Sequence, residues 1–485
     1  MESLPYKPQI RKEAELFAQE IVETVVRRGI FHLTTNEMEF LTKRRLLMDL
    51  REPINSFAFR MMSYNLLSDS LSEATTRQFK EFDAKYLDWK YRAKLIQKEI
   101  AFYSPDILCL QEIDKADTIL LPSLESEYEA KIKFKTGDRS DGLATLYKKD
   151  KFNLIEHKYL EFKDTHPSVA KEHVAQLVVL SMKPTIEGLD NKLLIIANLH
   201  TLFNEKRGDI KVTQIYLTMR ALEELSLKYK QYDRMVFFAG DFNLIPNSGL
   251  YTWISKGTFN FSDVKNNLLS GQREGTWNKF KAYNDLNEFI TYLTNHYEYN
   301  KKNAESKLTP IKGWIQILRE TKLVFDDEEK IKIVYAKPLE ESKTDEVNKT
   351  GEQDKTGEKD KTVEESPFDF TIKVPLQMTS AYAWFKRYLV EDYGQLKSKM
   401  DLPPSNSTYE CSMTHCSVNG PLTVDYIWFM EIPASIESYK RLRVARIVEI
   451  PQLEDLEKIS RKFPQKFFPS DHFSLIVDFT FDTIK

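Results

Sequence analysis

Glu112, Asp241, Asn243, Asp425, Asp471 and His472 stand in four short polar signatures, each beside an apolar run. The runs are Leu108-Cys109-Leu110 before Gln111 and Glu112, Phe237-Phe238-Ala239 before Gly240, Asp241 and Asn243, Tyr426-Ile427-Trp428-Phe429 after Asp425, and Phe467-Phe468 before Asp471 and His472. Hydrolysis of a phosphodiester at neutral pH needs neutralised nonbridging oxygens, an activated water and help for the leaving oxygen, and a divalent metal supplies much of this. Magnesium prefers hard oxygen donors, keeps several waters and is held by one or two carboxylates plus substrate phosphate. Glu112, Asp241, Asn243, Asp471 and His472 suit such a site, whereas one isolated carboxylate would not. Each has a plainer reading alone: Asp241 and Asn243 as turn formers beside Gly240, Glu112 as a solvated strand end, His472 as a hydrogen-bonded core histidine. Their ordered joint occurrence points to a metal-dependent phosphodiesterase.

Short apolar runs bounded by turn formers read as buried strands, so each signature is carried to the rim of a sheet. The core is predicted to begin with the strand over 57–65, which ends in Asn65. A helix near 89–100 precedes the strand ending at Glu112. Another follows Gly208, where Val212, Ile215, Met219, Leu222 and Leu225 fall on one face and lead into the strand Met235–Phe238. Helices and strands that interleave in this way predict an α/β domain. Residues 1–55 show helical periodicity in Phe17, Ile21, Val25 and Val26 and predict a helical extension before a catalytic domain over 56–484. An insertion over about 265–375 interrupts that domain, with helices expected at 284–299 and 310–323. Within it, residues 340–366 are rich in Lys, Glu, Asp and Thr and repeat 349–354 nearly unchanged in 355–360. That segment lacks apolar area to offset ordering entropy and predicts a disordered charged loop.

The chain's 485 residues, 41% of them hydrophobic, allow one large or two medium cores. A net charge of -3 gives no global attraction for a polyanion, so any nucleic-acid contact must come from Lys and Arg gathered locally. With only Cys109, Cys411 and Cys416 present, and no long unbroken apolar stretch, neither a disulfide framework nor a membrane span is expected. Glu13, Glu15, Glu20 and Glu23 argue against a transit peptide. A soluble intracellular protein, cytoplasmic or nuclear, is predicted.

Joined by Met62-Ser63-Tyr64-Asn65, Ala197-Asn198-Leu199-His200 and the continuation through Pro246, Ser248, Gly249 and Tyr251, the signatures resemble the endonuclease/exonuclease/phosphatase superfamily. Within it they are most similar to the carbon-catabolite-repression deadenylase branch, with the nocturnin and Angel-like proteins. The matching pieces span 57–482 apart from the insertion. The resemblance implies a four-layer sandwich, two mixed β-sheets face to face with helices outside and the site at one rim. It implies Asn65, Glu112 and Asp471 as ligands of Mg2+, for which Mn2+ can substitute. Asp241 would orient or deprotonate the attacking water, Asn243 would hold phosphate or metal, and His472 would contact the scissile phosphate. Asp425 would fix the ring of His472, and a carboxylate behind an imidazole also raises its basicity, a role independent of the resemblance. His200 would stabilise charge developing on phosphate, for which a rigid strand end is a suitable mount.

The implied activity is 3′-to-5′ exoribonuclease on single-stranded RNA 3′ ends, either poly(A) tails or structured-RNA termini. The chain lacks leucine-rich repeats for docking to a large deadenylase complex, so a stand-alone enzyme without a membrane partner is expected. Two features depart from the branch. An aromatic that would stack on adenine is expected shortly before Asp425, but Ser417 to Thr423 contain none. The arginine that nocturnin places four residues after His200 is Asn204, which argues against a nicotinamide-dinucleotide phosphate substrate. Lys206, Arg207 and Lys211 read as surface charges. Cys411, His415 and Cys416 offer three donors where a closed zinc site takes four, so the cysteines are expected to be small buried residues. A phosphatase on inositol, lipid or nucleotide substrates, an apurinic-site endonuclease and a noncatalytic RNA-binding scaffold are the alternatives. The Pro246 to Tyr251 continuation favours the deadenylase branch over the other enzymes, and the complete site residues argue against a scaffold.

Overall fold

Strands buried on both faces need apolar residues at nearly every position, and the longest such runs here form two mixed sheets. The computed structural model describes residues 46–48, 56–74, 83–115, 119–183, 191–246, 248–272, 309–335, 368–391, 409–411, 413–417, 420–432, 442–451 and 463–482. The strands of the two sheets are β1 (Leu46–Met48), β2 (Ser56–Asn65), β3 (Ile107–Ile113), β4 (Tyr128–Phe134), β5 (Gly142–Lys148), β6 (Phe152–Glu161), β7 (Val174–Met182), β8 (Lys192–His200), β9 (Asp233–Asp241), β10 (Thr379–Ser380), β11 (Asp425–Ile432), β12 (Leu442–Val448) and β13 (Leu475–Asp482). The seven-stranded sheet has the order β1-β12-β13-β2-β3-β5-β4, and the six-stranded sheet β10-β11-β9-β8-β7-β6. Among the described strands of these sheets, only β2–β3 and β8–β9 are parallel. Parallel neighbours need a crossover, supplied by α1 (Trp89–Tyr103) and α2 (Gly208–Lys228) respectively.

Side chains alternate across each strand, so each sheet has two apolar faces to cover. Between the sheets lie Phe59, Met61, Ile107 and Cys109 from one and Val178, Leu180, Leu194, Ile196 and Phe237 from the other. On the outer faces, Leu193, Ile195, Ala197 and Leu199 pack with Val212, Ile215, Met219 and Leu222 of α2. Met62, Tyr64, Leu108 and Leu110 pack with Trp89, Ala93, Ile96 and Ile100 of α1. The result is the expected helix, sheet, sheet, helix stack. The start of α1 is fixed by Asp88, whose side chain accepts from Tyr91 N at 3.1 Å. The helix α3 (Gly249–Lys256) follows the Asp241 turn, and Ser248 Oγ accepts from Tyr251 N at 3.2 Å to cap it. No helix among the described residues is long and apolar enough to cross a membrane.

Polar side chains also cross the interior, Thr145 Oγ1 donating to Gln176 Oε1 at 2.7 Å and Asn198 pairing with Gln111. Asn198 Nδ2 donates to Leu110 O and Ala144 O, both at 3.1 Å, and Gln111 Nε2 donates to Asn198 Oδ1 at 2.9 Å. Leaving such a buried amide unpaired would cost about 1–3 kcal/mol, so the pair resists sliding of one sheet over the other.

The expected helical extension needs correction at its end, because Leu46–Met48 is a strand paired antiparallel with β12. Edge pairing there satisfies backbone groups that a helix would have to satisfy internally; residues 1–45 lie outside the described residues. In the insertion, α4 (Thr309–Glu320) occupies most of the 310–323 helix, but Leu323 falls in a two-stranded ribbon, Lys322–Val324 with Lys332–Val334. Trp314, Ile315 and Leu318 of α4 are buried against the α2 layer, so this part joins the main core. The helix expected at 284–299 and the charged loop at 340–366 lie outside the described residues.

Gly240 has φ +140, and a Cβ there would stand 1.8 Å from Leu199 O. Gly240→Ala is expected to cost about 3 kcal/mol through backbone displacement, whereas Gly313→Ala, with nothing within 4 Å, should be neutral or slightly stabilising. Thermal melts of the two variants check this, and an unshifted Gly240→Ala would refute the close approach of β8 and β9.

Candidate active site

The parallel pairs bring the C-terminal ends of β2, β3, β8 and β9 to one edge, and antiparallel β11 brings its N-terminal end there. Register then sets neighbours. Asp241 is opposite both His200 and Asp425, and Asn65 is opposite Gln111. Glu112 sits where the β3–β5 register shifts between Gln111 and Ile113, with φ 57. Such a bulge redirects a side chain. Asn243 also adopts left-handed backbone, φ 47, a conformation that non-glycine residues keep only when their surroundings enforce it. Here Asp241 Oδ1 accepts from Asn243 N at 2.9 Å.

All eight residues singled out from the sequence gather at this edge. Asn65 Nδ2 donates to Glu112 Oε1 at 3.3 Å and to Asp241 Oδ2 at 3.1 Å, while Asn65 Oδ1 accepts from Leu67 N. In this arrangement Asn65 joins the two carboxylates as a donor. Glu112 Oε2 accepts from Ser68 N at 2.8 Å. His200 Nε2 and His472 Nε2 lie 3.5 and 3.8 Å from Asp241 Oδ2. His472 Nδ1 is 2.9 Å from Asp425 Oδ2, which also accepts from Thr414 Oγ1 at 2.6 Å. Asn243 donates from Nδ2 to Thr201 O and accepts at Oδ1 from Gln272, so its side chain braces the turn at both ends.

Burial and mutual charge set the protonation states. Asp241 is pushed up to about 7 by burial and then by Asp425, and Glu112 is raised by burial and by Asp471. Burial opposes the charged form of His472, but Asp425, Asp471 and Asp241 outweigh it and hold the imidazole up to about 10. Burial, followed by the charge of Lys135, drives His200 well below its usual value. One imidazole is therefore a cationic donor and the other a neutral ring whose buried Nδ1 has no hydrogen-bond partner.

Asp471 Oδ1 is buried without a hydrogen-bond partner; burial opposes its charge, but His415 and His472 outweigh it and hold the carboxyl below its usual range, while Asp471 in turn raises Glu112. Those two carboxylates fit a divalent ion. His472 lies within 4.8 Å of the donor atoms of two residue pairs, Asp241 with Asp425 and Asp471 with His415, but a protonated imidazole has no lone pair to ligate.

Four supporting residues carried no clear signal in the chain order. Thr414 and Ser470 hold Asp425 and Asn65 by side-chain hydrogen bonds, the latter from Ser470 Oγ to Asn65 O at 2.7 Å. His415 stands 3.5 Å from Asp471 Oδ2. Lys211, expected as a surface charge, is fully buried; its Nζ donates to Asn243 O at 2.6 Å and to Gln272. Its position on the inward face of α2, beside Val212 and Ile215, was the available clue. Cys411 and Cys416 are buried free thiols, and burial pushes Cys411 up to about 12, far from the thiolate that zinc requires.

The model of the Endonuclease/Exonuclease/phosphatase family matches residues 62–472, a span that holds all eight residues. Protein angel homolog 2 of Bos taurus is 36% identical over 228 residues, covering 46% of this chain and 41% of that protein. Carbon catabolite repressor protein 4 homolog 5 of Arabidopsis thaliana is 33% identical over 222 residues, covering 44% and 48%. The chain thus aligns with under half the length of these relatives. The crystal structure of ANGEL2, a 2′,3′-cyclic phosphatase, in complex with adenosine-2′,3′-vanadate shares the fold with TM-score 0.60 at 22% identity, covering 90% of this chain and 98% of that one.

The raised value of His472 means that its proton stabilises the fold fully below the usual 6.5 and that this contribution is lost as pH rises toward about 10. Asp425→Asn should let the ring titrate much nearer 6.5 and should destabilise the protein most just below 6.5, with the difference shrinking as pH rises toward about 10. NMR titration of the imidazole checks this, and a titration unchanged in Asp425→Asn would refute the pairing.

Proposed function

Because the chain belongs to the endonuclease/exonuclease/phosphatase family, whose members are hydrolytic enzymes, we propose that it is a divalent-metal-dependent 3′-to-5′ exoribonuclease acting on single-stranded RNA 3′ ends. The observation that carries the reading is a carboxyl poised at about 7, Asp241, set 3.8 Å from an imidazolium held to about 10, His472. A base near neutrality and a fixed cation are what water attack on a phosphodiester requires. In this reading Asp241 takes the proton of the attacking water at Oδ2, and Asn65 and Asn243 N–H fix its carboxylate. His472 Nε2 donates to a nonbridging phosphate oxygen while Asp425 holds the ring at Nδ1. Neutral His200 adds one further hydrogen bond as charge grows on the phosphate.

Glu112 and Asp471 are the residues that would hold magnesium or manganese, and the ion would neutralise phosphate charge and acidify a bound water. Asp241→Asn and Glu112→Ala should each lower kcat by about a hundredfold or more with melting temperature preserved. Undiminished RNA cleavage in EDTA would rule the mechanism out.

A second reading, hydrolysis of a terminal 2′,3′-cyclic phosphate, is favoured by the fold likeness to ANGEL2 across 90% of this chain. The same base and cation would serve a cyclic phosphodiester. An oligonucleotide bearing that terminus separates the readings, since an exonuclease shortens the chain and a cyclic phosphatase leaves its length unchanged.

Base choice follows from the segment before Asp425, which carries no aromatic residue over 417–424. Stacking is worth about 1–3 kcal/mol per base but is tolerant of base identity. Matched oligo(A) and oligo(U) should therefore be processed at rates within about tenfold of each other. A much larger adenine preference in a rate comparison would show that a selective base site exists elsewhere.

A further inference from the structure

Next to the site lies an open cleft of about 460 Å³, lined by Arg139, Lys163, Lys171, Arg207, His173 and Asn204 among others. Three separate segments converge there: the loop before β5, the turn between β6 and β7, and the residues after His200. His173 connects the cleft to the site, its ring 6.4 Å from that of His200 and edge-on at 86°.

The charge balance of the lining is positive. Glu172 is its one acidic member, and that carboxylate accepts from the Thr136 hydroxyl. Lys163 stands 3.6 Å from Glu161, and Arg207 is paired with Asp209 at 2.8 Å. Among the described residues, Arg139 and Lys171 form no ion pair. The field is felt by His173, which burial and then Lys135, Arg139 and Lys171 hold neutral, down to about 3. Its Nδ1 is buried without a hydrogen-bond partner. Net charge over the chain is -3, so this concentration of cations is local.

We infer that the cleft is a second-phosphate subsite: it binds the backbone phosphate of a nucleotide adjoining the one whose ester is cleaved, through Arg139 and Lys171 with Lys163 and Arg207 beside them. The inference rests on the proposed RNA reading for the identity of the ligand. It makes the enzyme selective for an oligonucleotide over a substrate with a single phosphate, and it supplies the local basic surface that the overall charge lacks. Phosphate contacts of this kind position a strand without reading its sequence.

The test uses the full chain and a fluorescently labelled short single-stranded RNA, with binding followed by anisotropy in EDTA so that cleavage does not interfere. Arg139→Glu with Lys171→Glu is expected to weaken binding by about tenfold or more and to flatten the salt dependence of log K by about one per contact removed. Arg139→Lys with Lys171→Arg should retain most of the affinity, which separates charge from fold. Affinity and salt slope unchanged in the charge-reversal variant, or a wild-type chain that binds no RNA, overturns the subsite. A wild-type chain that binds RNA with this cation dependence but cleaves none when magnesium is restored overturns the proposed function and leaves the subsite standing.

Discussion

Concentrated negative charge at one sheet edge is the constraint on which the rest of the arrangement depends. Asp241, Asp425 and Asp471, with Glu112, converge where little water reaches them, and burying an uncompensated carboxylate costs several kcal/mol. Each is handled differently. Asp425 is neutralised by the His472 ring and held by Thr414. Asp241 retains a proton up to about 7. Asp471 keeps one oxygen unsatisfied. With Asp471 Oδ1 unpartnered and Glu112 raised by burial and by Asp471, the edge offers two carboxylates to a cation beside the imidazolium that would meet a phosphate.

Such a cluster holds its geometry only if the strand ends cannot move. Gln111 and Asn198 lock the two sheets together one residue from Glu112 and two from His200, and Ser470 ties the segment before β13 to the end of β2. Gly240 lets β9 approach β8 closely enough to place Asp241 opposite His200. The left-handed residues Glu112 and Asn243 then turn off the ends of their strands, at a conformational cost that the surrounding hydrogen bonds offset. Packing, register and chemistry are linked through these few residues.

The same logic extends outward from the site. Lys211 supports the Asn243 turn from beneath, at full burial, while Arg139 and Lys171 stand on the outer side of His200 in the basic cleft. Basic side chains thus do two unlike jobs, and burial separates them. A buried lysine beside two carbonyl acceptors is a structural brace. An arginine and lysine in an open cleft are available to a polyanion.

By itself the sequence determined the fold class and the composition of the site. Apolar runs long enough to be buried on both faces specified the sheets, the Val212 to Leu225 stripe specified α2, and Glu112, Asp241, Asp425, Asp471 and His472 could be named because each closes or opens such a run. Local pattern suffices there, since strand period and helix period are properties of neighbouring residues. Tertiary structure decided what depends on residues distant in the chain: that Asn65 offers its nitrogen, not its oxygen, to the carboxylates; that Lys211 is buried; that Leu46–Met48 extends a sheet; and that Arg139, Lys171 and Arg207 share one cleft. The direction of a side chain, the solvation of a charge and the pairing of an edge strand are fixed by contacts between segments up to hundreds of residues apart. No local spacing encodes them.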